Sequence, residues 1–138
     1  MGLLIDSTFL IRAERSRLTP DQLIARVLDH RGDVPLAISV MSAGELLHGC
    51  WRADNPARRS QRESFVESVL AVLPVVAVTL PVMRLYAELD AKLRSTGRRI
   101  PISDLLIAST ALARGDQLLT ANVRHFDRVA GLVVHNEP

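Results

Sequence analysis

Four side chains with oxygen ligand atoms recur at similar places along the chain, close to the ends of short apolar runs. They are Asp6, Glu45, Asp104 and Asn122. Carboxylates gathered in one pocket repel one another and resist ionising together. A hard divalent cation relieves that repulsion, and Mg²⁺ prefers oxygen ligands while keeping several waters. If the fold brings these side chains together, they predict a site for Mg²⁺ or Mn²⁺.

The elements that must position these residues alternate along the chain. Short β-type runs occupy residues 2–5, 36–40, 75–79, 117–120 and 132–135. Strands that alternate with helical patterns predict parallel βαβ units, and continuously apolar strands predict a sheet covered on both faces. We therefore expect an α/β fold, a three-layer α/β/α sandwich with a mostly parallel sheet of four to five strands. Ligands bind beyond the carboxyl ends of the strands in such folds, and the four side chains fall at that edge.

Helix starts are indicated by residues that commonly precede or open a helix. They are Thr19-Pro20, Asn55-Pro56, Thr79-Leu80-Pro81 and Ser103, with a further helix expected over 42–52.

Each of the four side chains also has a purely structural explanation. Ser42 and Glu45 have the spacing of a capping box, and Asp104 follows a possible helix cap. Asp6 could form the turn that starts the first helix, and Asn122 could be a turn residue. These explanations do not account for all four falling at one edge of the sheet, so we favour the metal site.

Length and composition place limits on the class of protein. The chain has 138 residues, of which 48% are apolar, so we expect one domain with a sizeable core. The formal net charge is +2, which is weak evidence for a nucleic-acid partner. A single cysteine, Cys50, excludes an intrachain disulfide and fits a reducing cytoplasm. The longest apolar run, 69–78, is short for a membrane span and contains Pro74, so we expect no membrane association.

Four stretches together resemble the PIN-domain nucleases, and among them the VapC-type toxins. The stretches are LLIDSTFLI, ISVMSAGELLHG, GRRIPISDLLIASTAL and LLTANVRHFDRVAGL. Their order and spacing match over essentially the whole chain. The resemblance implies a single PIN domain over 1–138 with metal-dependent endoribonuclease activity. It also implies a homodimer, and a partner antitoxin that inhibits the toxin.

The resemblance also assigns the four positions. Asp6, Glu45 and Asp104 match the acids of the family, and Asn122 matches a fourth position that is often Asp. An amide oxygen can orient a water or bind a metal weakly, but it adds no negative charge. The Asn122 side chain therefore puts a second tightly bound metal in question.

A phosphodiester can be hydrolysed by a metal-activated water without a protein nucleophile. We expect Asp6 and Asp104 to be the principal metal ligands. Glu45 would bind the metal through water or act as a base toward the attacking water, and Asn122 would position water or phosphate.

Substrate contacts require polar and cationic side chains near the acidic edge. The predicted set is Ser7, Arg12, Arg98, Arg99, Thr120 and Arg124. Arg58, Arg59 and Arg62 form a second basic stripe, which is interpreted as a solvated helix face.

Three alternatives remain open from the residues. A receiver-type phospho-acceptor domain needs an acidic pair after strand one and a lysine after the last strand, whereas Asp6 is single and Lys92 lies within a helical pattern. A phosphatase with a D-x-D motif would need an acid at Thr8. A catalytically impaired PIN fold that serves as a binding module is kept open by Asn122.

Overall fold

The computed structural model describes residues 1–137, which form five strands and seven helices. The strands are β1 Leu3–Ile5, β2 Leu36–Ser39, β3 Val75–Val76, β4 Gln117–Leu119 and β5 Val134–His135. The helices are α1 Ser7–Arg15, α2 Pro20–Arg31, α3 Val40–Trp51, α4 Pro56–Val72, α5 Leu80–Ser95, α6 Ile102–Arg114 and α7 Val123–Phe126. Within residues 1–137, none of the helices combines the length and the apolar content that a membrane crossing requires.

The sheet has the strand order β3-β2-β1-β4-β5, and every pair of neighbours is parallel. β1 lies in the centre, where Leu4 pairs with Ala37 on one side and with Leu118 on the other. The prediction of a mostly parallel sheet of four to five strands is confirmed. The strands are shorter than the apolar runs that predicted them.

Side chains of β1 alternate between two cores, because successive residues of a strand point to opposite faces. Leu3 and Ile5 pack against the layer built from α1 to α4, whereas Leu4 packs against α5, α6 and α7. Helices therefore cover both faces of the sheet, and the predicted three-layer α/β/α sandwich is confirmed.

Three helices begin where the sequence predicts. Thr19 and Gln22 form a capping box at the start of α2. Asn55 caps α4 by accepting a hydrogen bond from the Arg58 backbone N–H at 2.8 Å. Thr79 precedes α5, although its side chain makes no capping bond.

The other two predicted starts are wrong. α3 begins at Val40 because Ser39 caps it, accepting a hydrogen bond from the Met41 backbone N–H at 2.9 Å. Ser42 lies buried inside the helix, so it does not cap the helix and does not form a capping box with Glu45. α6 begins at Ile102 directly after Pro101, so Ser103 lies within its first turn.

Asp6 precedes α1 and Asn122 precedes α7, but neither side chain caps the helix that follows it. Asp6 does bond Thr8, two residues on, as a turn residue would. Asp104 lies in the first turn of α6, where a carboxylate is favoured by the helix dipole.

Candidate active site

Asp6 is a buried carboxylate at the carboxyl end of the central strand. Its backbone N–H continues the ladder of the sheet by donating to Leu119 O at 2.8 Å. Its side-chain atom Oδ2 accepts hydrogen bonds from Thr8 Oγ1 at 2.5 Å and from Thr120 Oγ1 at 2.8 Å. Only 2% of the residue is exposed, so these hydroxyls replace the water that an ionised carboxylate needs.

The two threonine hydroxyls are themselves held by the backbone. Thr8 Oγ1 accepts a hydrogen bond from Ala121 N at 3.1 Å, and Thr120 Oγ1 accepts one from Asn122 N at 3.0 Å. Each hydroxyl has a single hydrogen, and both hydrogens go to the same oxygen of Asp6. The other carboxylate oxygen, Oδ1, takes no part in this pair of bonds.

Glu45 reaches the site from the second turn of α3. Ser7 Oγ donates a hydrogen bond to Glu45 Oε1 at 3.1 Å, which links the start of α1 to α3. Burial raises the pKa of Glu45 to about 7, and the charges of Asp6 and Asp104 add to this effect. The Ser7 hydrogen bond opposes the shift, because it stabilises the ionised form.

Asp104 and Asn122 meet through a residue that the sequence analysis did not assign to the site. Asp104 Oδ2 lies 2.6 Å from His125 Nδ1, and the amide nitrogen of Asn122 lies 3.1 Å from the same ring nitrogen. His125 lies in the short helix α7, three residues after Asn122, which directly precedes the helix, and this spacing brings the two side chains together. The i, i+3 spacing of Asn122 and His125 was the only sequence signal for a role of His125. It does not indicate such a role unless Asp104 is known to lie nearby.

The three carboxylates influence one another electrostatically. Burial raises the pKa of Asp6, and the charge of Asp104 raises it further, whereas the hydrogen bonds from Thr8 and Thr120 lower it. Like charges in one pocket favour a bound cation. Within residues 1–137, however, no group of three or more His, Cys, Asp or Glu side chains is arranged to hold a metal ion. The oxygen donors fit a cation that binds one or two carboxylates directly and keeps several waters, as Mg²⁺ does.

A groove of about 430 Å³ opens between α1, α3 and α4 and reaches Ser7 and Glu45. Three arginines line it: Arg15 of α1, Arg52 directly after α3 and Arg62 of α4. Arg62 is weakly held, since its Nη1 donates to Gly49 O at 3.3 Å and its Nε lies 3.9 Å from Glu14 Oε1. The groove thus joins the acidic site to a cationic surface. The side chain of Arg62 is 43% exposed, so it lies on the solvated surface as predicted and also lines this groove.

The four arginines that were predicted to contact substrate lie elsewhere on the surface. Arg12 stacks on the Phe9 ring at 5.0 Å and donates a hydrogen bond to the carbonyl of Asn136. Arg98, Arg99 and Arg124 are exposed. None of the four lines the groove beside Glu45. Their contact with substrate stays a prediction.

Comparisons with known proteins identify the family of the chain. The sequence model of the PIN domain matches residues 3–132. "Ribonuclease VapC1" of Rickettsia felis is 32% identical over 134 residues, covering 97% of this chain and 95% of the relative. "Ribonuclease VapC10" of Mycobacterium tuberculosis is 36% identical over 125 residues, covering 90% and 85%.

Solved structures resemble the fold along its whole length. A structure of VapBC2 from Rickettsia felis, bound to a DNA fragment from the promoter, superimposes with a TM-score of 0.85 at 25% identity and covers 100% of both chains. VapBC-1 from nontypeable Haemophilus influenzae superimposes with a TM-score of 0.81 at 25% identity, covering 98% of this chain and 97% of the other. Since the receiver and phosphatase alternatives belong to other families, the comparisons exclude them. The chain belongs to the PIN-domain family and is a relative of the VapC ribonucleases.

Proposed function

We propose that this protein, a single PIN domain over residues 1–138, is an endoribonuclease that acts as the toxin of a toxin–antitoxin pair. The observation that carries the proposal is the convergence of Asp6, Glu45 and Asp104 from three elements onto one edge of the sheet, with electrostatic coupling among them. None of these side chains caps a helix. Carboxylates whose pKa values are raised by burial and by neighbouring charges, as those of Asp6 and Glu45 are, are typical of a functional site.

The cofactor is Mg²⁺ or Mn²⁺. Asp6 and Asp104 would hold it directly, and Glu45 would hold it through water. When bound, such a cation lowers the pKa of a water and offsets the charge that develops on the phosphate. The raised pKa values of Asp6 and Glu45 support this assignment, because a cation relieves the repulsion that contributes to both shifts.

The side chains of the site divide the work of hydrolysis among them. Glu45, with a pKa of about 7, is suited to accept a proton from the attacking water, because a general base works best when its pKa lies near the working pH. Ser7 orients Glu45, and its hydroxyl lies beside the groove that would take the substrate. Thr120 was predicted as a substrate contact, but its hydroxyl is bonded to Asp6, so we assign it to holding that carboxylate. Asn122 orients water or phosphate.

The substrate is RNA, whose backbone would follow the groove from Glu45 toward Arg15, Arg52 and Arg62. The positive charges of Arg62 and Arg15 both lower the pKa of a single carboxylate, Glu14. Burial raises that pKa by more, so the net shift is upward. Two cations facing one anion leave net positive charge in this part of the groove. Guanidinium groups bind phosphate oxygens well, so the groove complements an RNA strand.

The partners are a cognate antitoxin and a second copy of the chain, in the cytoplasm. The proposal of an antitoxin is based on the relatives, since the VapBC structures are toxin–antitoxin complexes.

The homodimer is supported by exposed apolar side chains at the starts of three helices: Val40 at 42%, Leu80 at 64% and Ile102 at 52%. α6 packs on both α3 and α5, so these residues lie on neighbouring elements. Exposed apolar patches commonly mark interfaces.

A second candidate is a PIN-fold binding module without catalysis, which the missing charge at Asn122 favours. Cleavage of labelled RNA by purified protein separates the two functions. We expect cleavage with Mg²⁺ or Mn²⁺, none with chelator, and a loss of about 100-fold or more for Asp6→Asn. The matched control is Asp29→Asn, which changes an exposed carboxylate on α2. If Asp6→Asn cleaves as fast as the wild type, the nuclease assignment is wrong.

A further inference from the structure

His125 makes a close polar contact with the acidic site. Its Nδ1 lies 2.6 Å from Asp104 Oδ2, and 33% of its side chain is exposed, against 15% for Asp104. A hydrogen bond of this length, shielded on the carboxylate side, is a strong orienting contact.

The numbers of donors and acceptors determine which group donates the hydrogen bond at this ring nitrogen. A carboxylate accepts only, so Nδ1 must carry a hydrogen and donate it to Asp104. The Asn122 amide nitrogen lies 3.1 Å from the same ring nitrogen. A half-turn of the amide, which exchanges its nitrogen and its oxygen, would let the amide oxygen accept from Nδ1 as well.

The position of the ring is itself fixed by packing. His125 lies in α7, between the site residue Asn122 and Phe126, which is completely buried in the core shared by α5, α6 and α7. α7 packs directly on α6, the helix that carries Asp104. The core thus anchors the backbone on both sides of this hydrogen bond.

We propose that His125 is a positioning residue that holds the Asp104 carboxylate in the orientation that binds the divalent cation. The inference rests on the proposed function, because the cation is part of it. A group that orients a metal ligand typically raises the affinity for the metal by about 10-fold to 100-fold. In this chain the orienting donor is a histidine that binds no metal itself.

The test is direct measurement of Mn²⁺ binding, without RNA, by electron paramagnetic resonance of the free ion. His125→Leu and His125→Ala remove the donor, and both should weaken the affinity by about 10-fold or more. His125→Asn keeps an N–H near the position of Nδ1 and should stay close to the wild type. His30→Leu is the control, because His30 is exposed on α2 and its Nδ1 contacts only the Arg26 carbonyl, at 2.8 Å. Thermal unfolding of each variant shows that it is folded.

Cleavage kinetics give a second readout. For His125→Leu we expect kcat to fall at limiting Mn²⁺ and to recover at saturating Mn²⁺, with the KM for RNA unchanged.

Three results would overturn the proposal. They are wild-type affinity in His125→Leu and His125→Ala, equal losses in His125→Asn and His125→Leu, and no Mn²⁺ binding by the wild type. The second would mean that the ring is needed for its shape and not for its N–H. If the affinities follow the expected order but the wild type does not cleave RNA at saturating Mn²⁺, this inference holds and the proposed nuclease function fails.

Discussion

The Ser7 hydroxyl donates a hydrogen bond to Glu45 Oε1 at 3.1 Å. This bond connects α1 to α3, and both residues line the groove. Ser7 is buried together with its neighbour Asp6, so the bond forms where charge is costly. Despite this bond, the pKa of Glu45 is raised to about 7. Without a cation, the site therefore shifts the ionisation of Glu45 toward the neutral form, and this shift has measurable consequences.

The first prediction concerns the stability of the cation-free protein as a function of pH. The pKa of Glu45 rises from 4.5 to about 7 on folding, so the folded state binds its proton more tightly than the unfolded state. This contribution to stability is complete below pH 4.5 and is lost as the pH rises through about 7. Glu45→Gln, which stays neutral, should therefore be more stable than the wild type at pH 8 and equally stable near pH 4.

For a fully buried group the shift would correspond to roughly 3 kcal/mol. Glu45 is partly exposed and screened by solvent, so we expect about 1 kcal/mol. Urea unfolding in chelator measures the difference, and Glu67→Gln, on the exposed face of α4, is the control. A Glu45→Gln variant that is less stable than the wild type at pH 8 would contradict the assignment.

The second prediction concerns the hydroxyl of Thr120. Thr120→Val removes a donor to the Asp6 carboxylate and an acceptor for the Asn122 backbone N–H. Losing a hydrogen bond to a buried charged group costs about 2 kcal/mol, and the pKa of Asp6 should rise further because this bond lowers it. RNA cleavage should fall as well, since Asp6 loses part of its support.

Thr79→Val is the matched control, because Thr79 is exposed and makes no capping bond. Chemical denaturation and cleavage assays on both variants decide the matter. Equal stability and activity in Thr120→Val and Thr79→Val would show that the Thr120 hydroxyl has no role at Asp6.

The third prediction concerns the arginines of the groove. Arg62→Gln should weaken RNA binding and reduce the slope of log K against log salt by about 0.7, the contribution of one contact to single-stranded RNA. Binding is measured in the Asp6→Asn background, where RNA stays intact. Arg58→Gln is the control on the same helix, since Arg58 pairs with Asp54 on the surface and does not line the groove. Identical salt slopes for the two variants would remove Arg62 from the RNA path.

Local sequence patterns were sufficient for the fold. Alternating apolar runs and helix-start residues such as Thr19 and Asn55 predicted a covered parallel sheet, because these patterns depend on near neighbours in the chain. The pattern failed at α3, where Ser42 has the right spacing to Glu45 for a capping box. The true cap is Ser39, at the end of β2, so the strand decides where the helix begins.

The acids of the site were also within reach of the sequence, because each follows or lies near an element end. His125 and Arg62 were not. Their roles depend on contacts with Asp104, 21 positions away, and with Gly49, 13 positions away. The contact of Trp51, which is 71% exposed and stacks with Arg59 at 3.8 Å, is likewise not readable from local sequence. Such contacts arise only from the packing of whole elements.

Sequencing of RNA 5′ ends in cells after induced expression is the measurement that decides whether this site cuts RNA. The wild type should create new 5′ ends at a defined set of positions. Asp6→Asn should create none of them, because the carboxylate at the end of β1 is lost, and Asp29→Asn should reproduce the wild-type profile. Identical profiles for the wild type and Asp6→Asn would contradict the account.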